Sequence, residues 1–367
     1  MPAKTLRTGI TTGTCAAAAA KAAVLAWKGT QVDAVDVILP QGKTVRVPVA
    51  HTASTATEGM ASVIKDAGDD PDITNGVTVT ATVTIGSSSD IILKAGAGVG
   101  TVTKPGLAVA MGEPAINPAP RQMIYNAVQE VLPAGLGAEV TISIPDGERL
   151  ATRTLNPHLG ITGGLSIIGT TGIVEPMSEE AFKNSLAPQI SVVKALGYEQ
   201  IVFVPGKIGQ DIAISRCGLP SDVVVQTSNF IGYMLESAVN YGIRQVLLIG
   251  HLGKIAKVAA GIFHTHNRIA DARMETLAAY AAKVGATQET VAEILDCTTT
   301  EAAMPIIENG GLTAIYNILA ERASARAVRY VFGDLVVGTV IVTLAGEILG
   351  MDEPARAIGG GLGWRIK

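Results

Sequence analysis

Charge and aromatic rings are both scarce in this chain of 367 residues: Asp, Glu, Lys and Arg make up 16% and Phe, Trp and Tyr 4%. The charged share lies well below the roughly 25% usual for globular proteins. Such a chain buries most of itself or covers its surface with further copies, so a homo-oligomer is expected. A net charge of −4 excludes a nucleic-acid partner that relies on a concentrated basic face. Only three cysteines occur, Cys15, Cys217 and Cys297, with no C-x-x-C pair among them. That excludes a disulfide framework and a structural zinc site, and it fits reduced thiols in the cytoplasm. No apolar run approaches the roughly 20 residues of a membrane helix without a charge or glycine break. The alanine-rich stretch 15–27 follows Lys4 and Arg7 like a signal peptide, but Lys21 interrupts it, and it reads as a helix of the mature chain.

What is present is a change of rhythm near residue 156. Before it, Thr14 caps a helix over 15–27 with Gly29 just past its end, and a hairpin spans 35–49 around Pro40-Gln41-Gly42. Strands over 77–85, 91–93 and 138–144 and a helix over 118–132 complete an α+β domain, 1–155, that carries a glycine-rich loop at 96–106. After it, short apolar runs at 165–168, 201–204, 223–225 and 246–249 alternate with helices near 178–196, 230–241 and 253–260. Buried strands of that kind imply a Rossmann-like, mostly parallel sheet domain, 156–345, with helices on both faces. Four helical stretches follow, at 271–284, 287–296, 300–308 and 312–325, then a strand at 335–344. The glycine-rich tail 346–367 reads as irregular. The expected class is thus an N-terminal α+β domain packed on a C-terminal α/β domain.

Several constellations can carry chemistry, each beside a plainer reading. Thr11, Thr12 and Thr14 run into a helix start, where free N–H groups and hydroxyls hold anions or merely cap the helix. Gly96, Gly98 and Gly100 follow a strand, but the dinucleotide pattern G-x-G-x-x-G fails and Pro105 blocks a prompt helix. That loop either turns tightly or brings its N–H groups, helped by Lys104, to an anionic ligand. Asp66, Asp69, Asp70 and Asp72 hold the cationic part of a cofactor, supply a base whose pKa is raised by its neighbours, or simply form an acidic turn. His251, His264 and His266 fall within sixteen residues, near Asp271, Arg273 and Glu275; they suit proton transfer or a metal, or are ordinary surface groups. Ligands of open parallel sheets gather at the carboxyl ends of strands. This points to the loops 169–172, 205–209 and 250–253, and so to Gly169, Thr170, Thr171, Gly206, Gly209 and Gly250.

Six tracts together resemble one family, the cobalt-precorrin-5B C(1)-methyltransferases: 7–23 (RTGITTGTCAAAAAKAA), 62–76, 96–109, 112–124, 156–178 and 250–275 (GHLGKIAKVAAGIFHTHNRIADARME). Asn75 and Asn267 depart from the pattern, which has His and Ser there. The resemblance implies methyl transfer from S-adenosylmethionine to C-1 of a cobalt-corrinoid, giving cobalt-precorrin-6A, with cobalt arriving on the substrate and no metal of the enzyme's own. With the sheet-edge argument above, cofactor contacts are then expected at those six loop residues. Substrate carboxylates are then expected on Thr11, Thr12, Thr14, Lys104, Arg121, His251 and Lys254, with Arg153, Lys257 and Arg273 as further cations. The base is expected among Asp66, Asp70, His264 and His266. Two other classes remain open on the residues alone: a non-catalytic corrinoid carrier, and a nucleotide-dependent transferase using the 96–106 loop.

Overall fold

The helix Thr12–Trp27 decides the layout of the N-terminal half. Ala16 to Ala20, Ala22 and Ala23 are all fully buried, so this helix has no solvent face, and its small side chains let it lie close against its neighbours. In the computed structural model, which describes residues 6–365, it packs on the strands Glu58–Ile64 and Thr78–Gly86 and on the helix Pro118–Gln129. The five-stranded sheet runs His51–Ser54, Glu58–Ile64, Thr78–Gly86, Gly137–Ser143, Ile91–Ala95. Its pairs are antiparallel except the last. Helix and sheet meet tightly at Gly59, where any Cβ would overlap the Ala23 carbonyl oxygen. Lys21, on the buried helix, reaches the Asp36 carbonyl at 2.8 Å and Glu130 at 2.7 Å. The hairpin is present as Ala34–Ile38 against Thr44–Pro48.

The chain divides into two compact units, 1–179 and 180–367, each of mixed α and β structure. This moves the expected boundary from 155 to 179, because the intervening segment pairs backwards. Ile161–Thr162 pairs with Thr101–Val102, Gly164–Leu165 with Gly98–Val99, and Ile173–Val174 with Gly9–Ile10. The strand expected over 165–168 is therefore a short piece of the first unit.

In the second unit the apolar runs become the sheet Val224–Gln226, Gln200–Val204, Gln245–His251, Val336–Val342, Ile348–Met351. The first four are parallel and the last is antiparallel at the edge. The tail is not irregular: that edge strand is followed by the helix Glu353–Gly361. Asp352 caps the helix by accepting from the Ala355 N–H at 2.9 Å, and it also accepts from the Thr339 N–H at 3.0 Å.

Gly59→Ala is expected to push the alanine helix off its sheet and to cost about 3 kcal/mol, the upper range for overpacking a core. Urea unfolding of the variant measures this; a midpoint equal to the wild type's would show that the helix tolerates displacement.

Candidate functional site

The central strand Gln245–His251 passes into the helix Leu252–Ala260 without a connecting loop, so His251 is both its last residue and the helix N-cap. Lys254 and Lys257 follow one helical turn apart and share a face. Lys254 Nζ donates to Asn229 Oδ1 and to the Thr265 carbonyl at 3.2 Å. Lys257 Nζ donates to the same carbonyl at 3.3 Å, to Asn267 Oδ1 at 2.6 Å and to the Ala270 carbonyl at 2.9 Å. Thr265, fully buried, also donates its N–H to the Asn229 carbonyl at 2.9 Å. Arg273, at the start of the helix Arg273–Lys283, grips both oxygens of Asp271 at 2.8 and 2.7 Å. Three cations thus converge at a strand end near two carboxylates, Asp271 and Glu301.

Burial pushes the pKa of His251 down; Glu301 works to raise it, while Lys254 and Arg273 lower it further. Its Nδ1 is buried without a hydrogen-bond partner. Burial likewise lowers Lys254 and Lys257; Asp271 works to raise Lys257, and Arg273 lowers both. Such an edge suits a carboxylated ligand beside a neutral imidazole. The neighbouring strand end holds Gly206, with open space beside it, and Gly209, in the helix Lys207–Asp211 that follows, sits against Val204 and the Ile249 carbonyl. Gly250 lies against Pro205, so the paired parallel strands Gln200–Val204 and Gln245–His251 end side by side. The expected loops are shorter than the sequence suggested: 205–209 is a bend at 205–206 running into the helix Lys207–Asp211, and 250–253 is strand end and helix start with no loop between. His264 bridges to Phe230 and stacks on its ring at 4.9 Å. His266 is exposed, 6.5 Å from His264 between ring centres, and its Nδ1 accepts from the Arg268 N–H at 3.2 Å.

The remaining expected residues lie in the first unit, mostly in structural roles. The loop 169–172 does not follow a strand of the second unit's sheet; it folds over the start of the alanine helix. Thr11 accepts from the Thr14 N–H at 3.2 Å and is the actual N-cap, three residues before the expected one. Thr12 accepts from the Ile168 N–H at 2.9 Å, and Thr14 donates to the Gly172 carbonyl at 2.7 Å. These hydroxyls are buried and occupied by the chain itself. Gly169 is pressed against Thr11, while Thr170 and Thr171 are not buried.

The acidic cluster is also spoken for. Asp66 pairs with Arg7 and accepts from the Gly68 N–H at 2.9 Å. Those hydrogen bonds, Arg7's first, hold its carboxyl below the usual range, not above it as a base would need. Asp69 accepts from the Arg7 N–H at 2.8 Å and Asp70 from the Met177 N–H at 2.9 Å. Burial works to raise Asp72, but hydrogen bonds from Lys65 and Thr74 outweigh it and keep its carboxyl low. In the glycine loop the N–H groups of Gly96, Gly100, Val102 and Thr103 bond to the carbonyls of Ile142, Leu165, Glu113 and Gly160. Gly98 has φ 73° and is wedged against the Ile144 carbonyl. That loop offers no phosphate cradle, which removes the basis of the nucleotide reading. The Lys104 stem lies over Gly160, and Arg121 sits 3.5 Å from Glu113.

Comparison with known proteins settles the family. The CbiD family model matches residues 1–176, and the model of the CbiD C-terminal domain matches 264–353. A protein of Moorella thermoacetica named cobalt-precorrin-5B C(1)-methyltransferase is 53% identical over 361 residues, 98% of each chain. The chain belongs to the CbiD family. A relative of the same name from Desulfitobacterium hafniense is 49% identical over 96% of this chain and 92% of its own. Among solved structures, the cobalamin biosynthesis protein CbiD of Archaeoglobus fulgidus is 30% identical, covering 74% of this chain and 84% of that one, with a TM-score of 0.40.

In this CbiD chain, Asn229, Thr265 and Glu301 join the cluster without having been singled out from sequence. Thr265 alone left a trace there, lying between His264 and His266 in the tract 250–275. Because burial disfavours the imidazolium, His251 is expected to titrate below 6.5, the ordinary value. Glu301→Gln, which removes a charge that favours the proton, should move the midpoint lower still. Imidazole resonances followed by NMR against pH check both. A midpoint at or above the ordinary value contradicts burial as the dominant influence on His251, and an upward move in Glu301→Gln contradicts the carboxylate's part in holding the proton.

Proposed function

We propose that the chain is an S-adenosylmethionine-dependent methyltransferase that methylates C-1 of cobalt-precorrin-5B to give cobalt-precorrin-6A. The observation that carries this reading is the 53% identity to the M. thermoacetica protein of that name over 98% of both chains. The site's chemistry supports it. A corrinoid precursor bears many acetate and propionate groups, and Lys254, Arg273 and the buried Lys257 supply fixed positive charge for them. Lys104 and Arg121 are further candidates for such contacts.

The four adjacent parallel strands support a Rossmann-like reading of the second unit, with the ligand at their carboxyl ends. We assign the methyl donor to the strand ends and helix start at Gly206, Gly209 and Gly250, where backbone can approach a ribose or a carboxylate. S-adenosylmethionine supplies an electrophilic methyl group when bound. The chain's own task is to hold donor and acceptor carbon in line at roughly 3–3.5 Å and to exclude water. His264 and His266 remain as candidate proton acceptors, joined by His251, which burial favours in its neutral form. Three free thiols, two of them buried, support a cytoplasmic setting, and the low charge content supports a homo-oligomer, which light scattering reads.

Calorimetry with S-adenosylhomocysteine is expected to show binding in the micromolar range and ATP none; folded protein that gives no heat at millimolar S-adenosylhomocysteine overturns the proposal. Lys254→Met should raise the KM for the corrinoid about tenfold, the worth of a charge-assisted contact of ~1.4 kcal/mol, and leave S-adenosylhomocysteine affinity unchanged.

A further inference from the structure

Lys257 is 1% exposed, and a buried ammonium normally requires a carboxylate against it. Among the described residues none lies within ion-pair distance of this one. Its three N–H bonds are taken by neutral oxygens: the Thr265 carbonyl, Asn267 Oδ1 and the Ala270 carbonyl. Asp271 is next in sequence to Ala270, but its two oxygens are gripped by Arg273. Dipoles of the loop 265–270 therefore hold the charge, and Asp271 acts on it only from a distance, opposed by Arg273. Lys254 shares the Thr265 carbonyl, so a second cation stands beside the first where a charge-balanced core would place an acid.

We propose that Lys257 is a positioning residue of the transfer site: held by the 265–270 loop, its charge, bonded to no carboxylate, sets the affinity of the strand end for the polycarboxylate corrinoid. This rests on the methyltransferase reading above. The competing possibility is that Lys257 only pins the loop carrying His264 and His266. The two differ in what a carboxylate at position 267 does. A mere pin is served at least as well by an ion pair, because the hydrogen bond is kept and strengthened. A charge that acts on the substrate is cancelled by it.

Asn267→Asp is thus the decisive variant. Asn267 is exposed, so the change is expected to leave the fold intact, with Tm equal to or above that of the wild type. KM for the corrinoid should rise about tenfold, as the loss of one unit charge acting across several ångströms implies. The expected kcat stays within twofold of wild type, and S-adenosylhomocysteine affinity stays unchanged. Lys257→Met should raise KM in the same direction with an added loss of Tm, since the loop loses its three bonds. Binding of cobyrinic acid, a corrinoid polycarboxylate, followed by visible absorption, reads the same charge without turnover. Wild-type protein that binds neither S-adenosylhomocysteine nor the corrinoid overturns the methyltransferase reading. Wild type that works, with Asn267→Asp matching its KM and its cobyrinic acid affinity within twofold, overturns the role given to Lys257.

Discussion

The direct passage of the central strand into a helix at His251 is the constraint on which the second unit's chemistry depends. A parallel strand buried on both faces delivers its last residue to the sheet edge, and here that residue caps the next helix. Helical spacing then fixes Lys254 and Lys257 on one face, and both ammonium groups meet the Thr265 carbonyl. That carbonyl belongs to a segment tied to Asn229, which itself follows the adjacent parallel strands. Hydrogen bonds of backbone and side chain therefore join two strand ends, those of Val224–Gln226 and Gln245–His251, to the loop at Thr265. The lysines are fixed in place by neutral groups, so their charge survives the fixing.

In the first unit the governing constraint is different: buried polar groups must find partners. The fully buried alanine helix brings its N-terminal threonines into the interior, where no solvent reaches them. The loop 168–172 answers with its own N–H and carbonyl groups, bonding Thr12, Gly13 and Thr14. The acidic turn is closed in the same manner by Arg7, Lys65 and the Met177 amide. Residue types that hold anions or protons in an open cleft are here used by the chain to hold itself.

This explains what the sequence made legible. Elements marked by period or punctuation were readable: the hairpin, the helix ended by Gly29, the apolar strands 201–204 and 246–249. Strand Glu58–Ile64 escaped because its Gly59, Ser62 and small side chains serve the close approach of the alanine helix and blur any alternation. The tail escaped because Gly359, Gly360 and Gly361 suggested an irregular end, although Asp352 and Pro354 form an ordinary helix start. For the site, His251 and Lys254 were legible as a strand-end pair. The loop 169–172 has the same local appearance, an apolar run followed by glycines, yet pairing of Gly164–Leu165 with Gly98–Val99 assigns it elsewhere. Local pattern reports that a turn exists; only long-range pairing decides which edge it decorates.

On the proposed reading, the charge arrangement at that edge matches what a polycarboxylate asks of a protein. Each ligand carboxylate must lose water, and a cation already neutralised by an acid returns little of that cost. A cation stripped of water and held by carbonyl dipoles has met its own desolvation cost during folding. Lys257 is in that state, whereas Arg273, gripped by Asp271, is partly neutralised. Lys254, half-buried, shares its carbonyl with Lys257 and has no acid of its own among the described residues. The edge thus offers three cations in graded states of neutralisation. An acidic partner for Lys257 would stabilise the empty fold and weaken its hold on an anion; under the proposal, the neutral Asn267 at that position resolves the conflict in favour of the ligand.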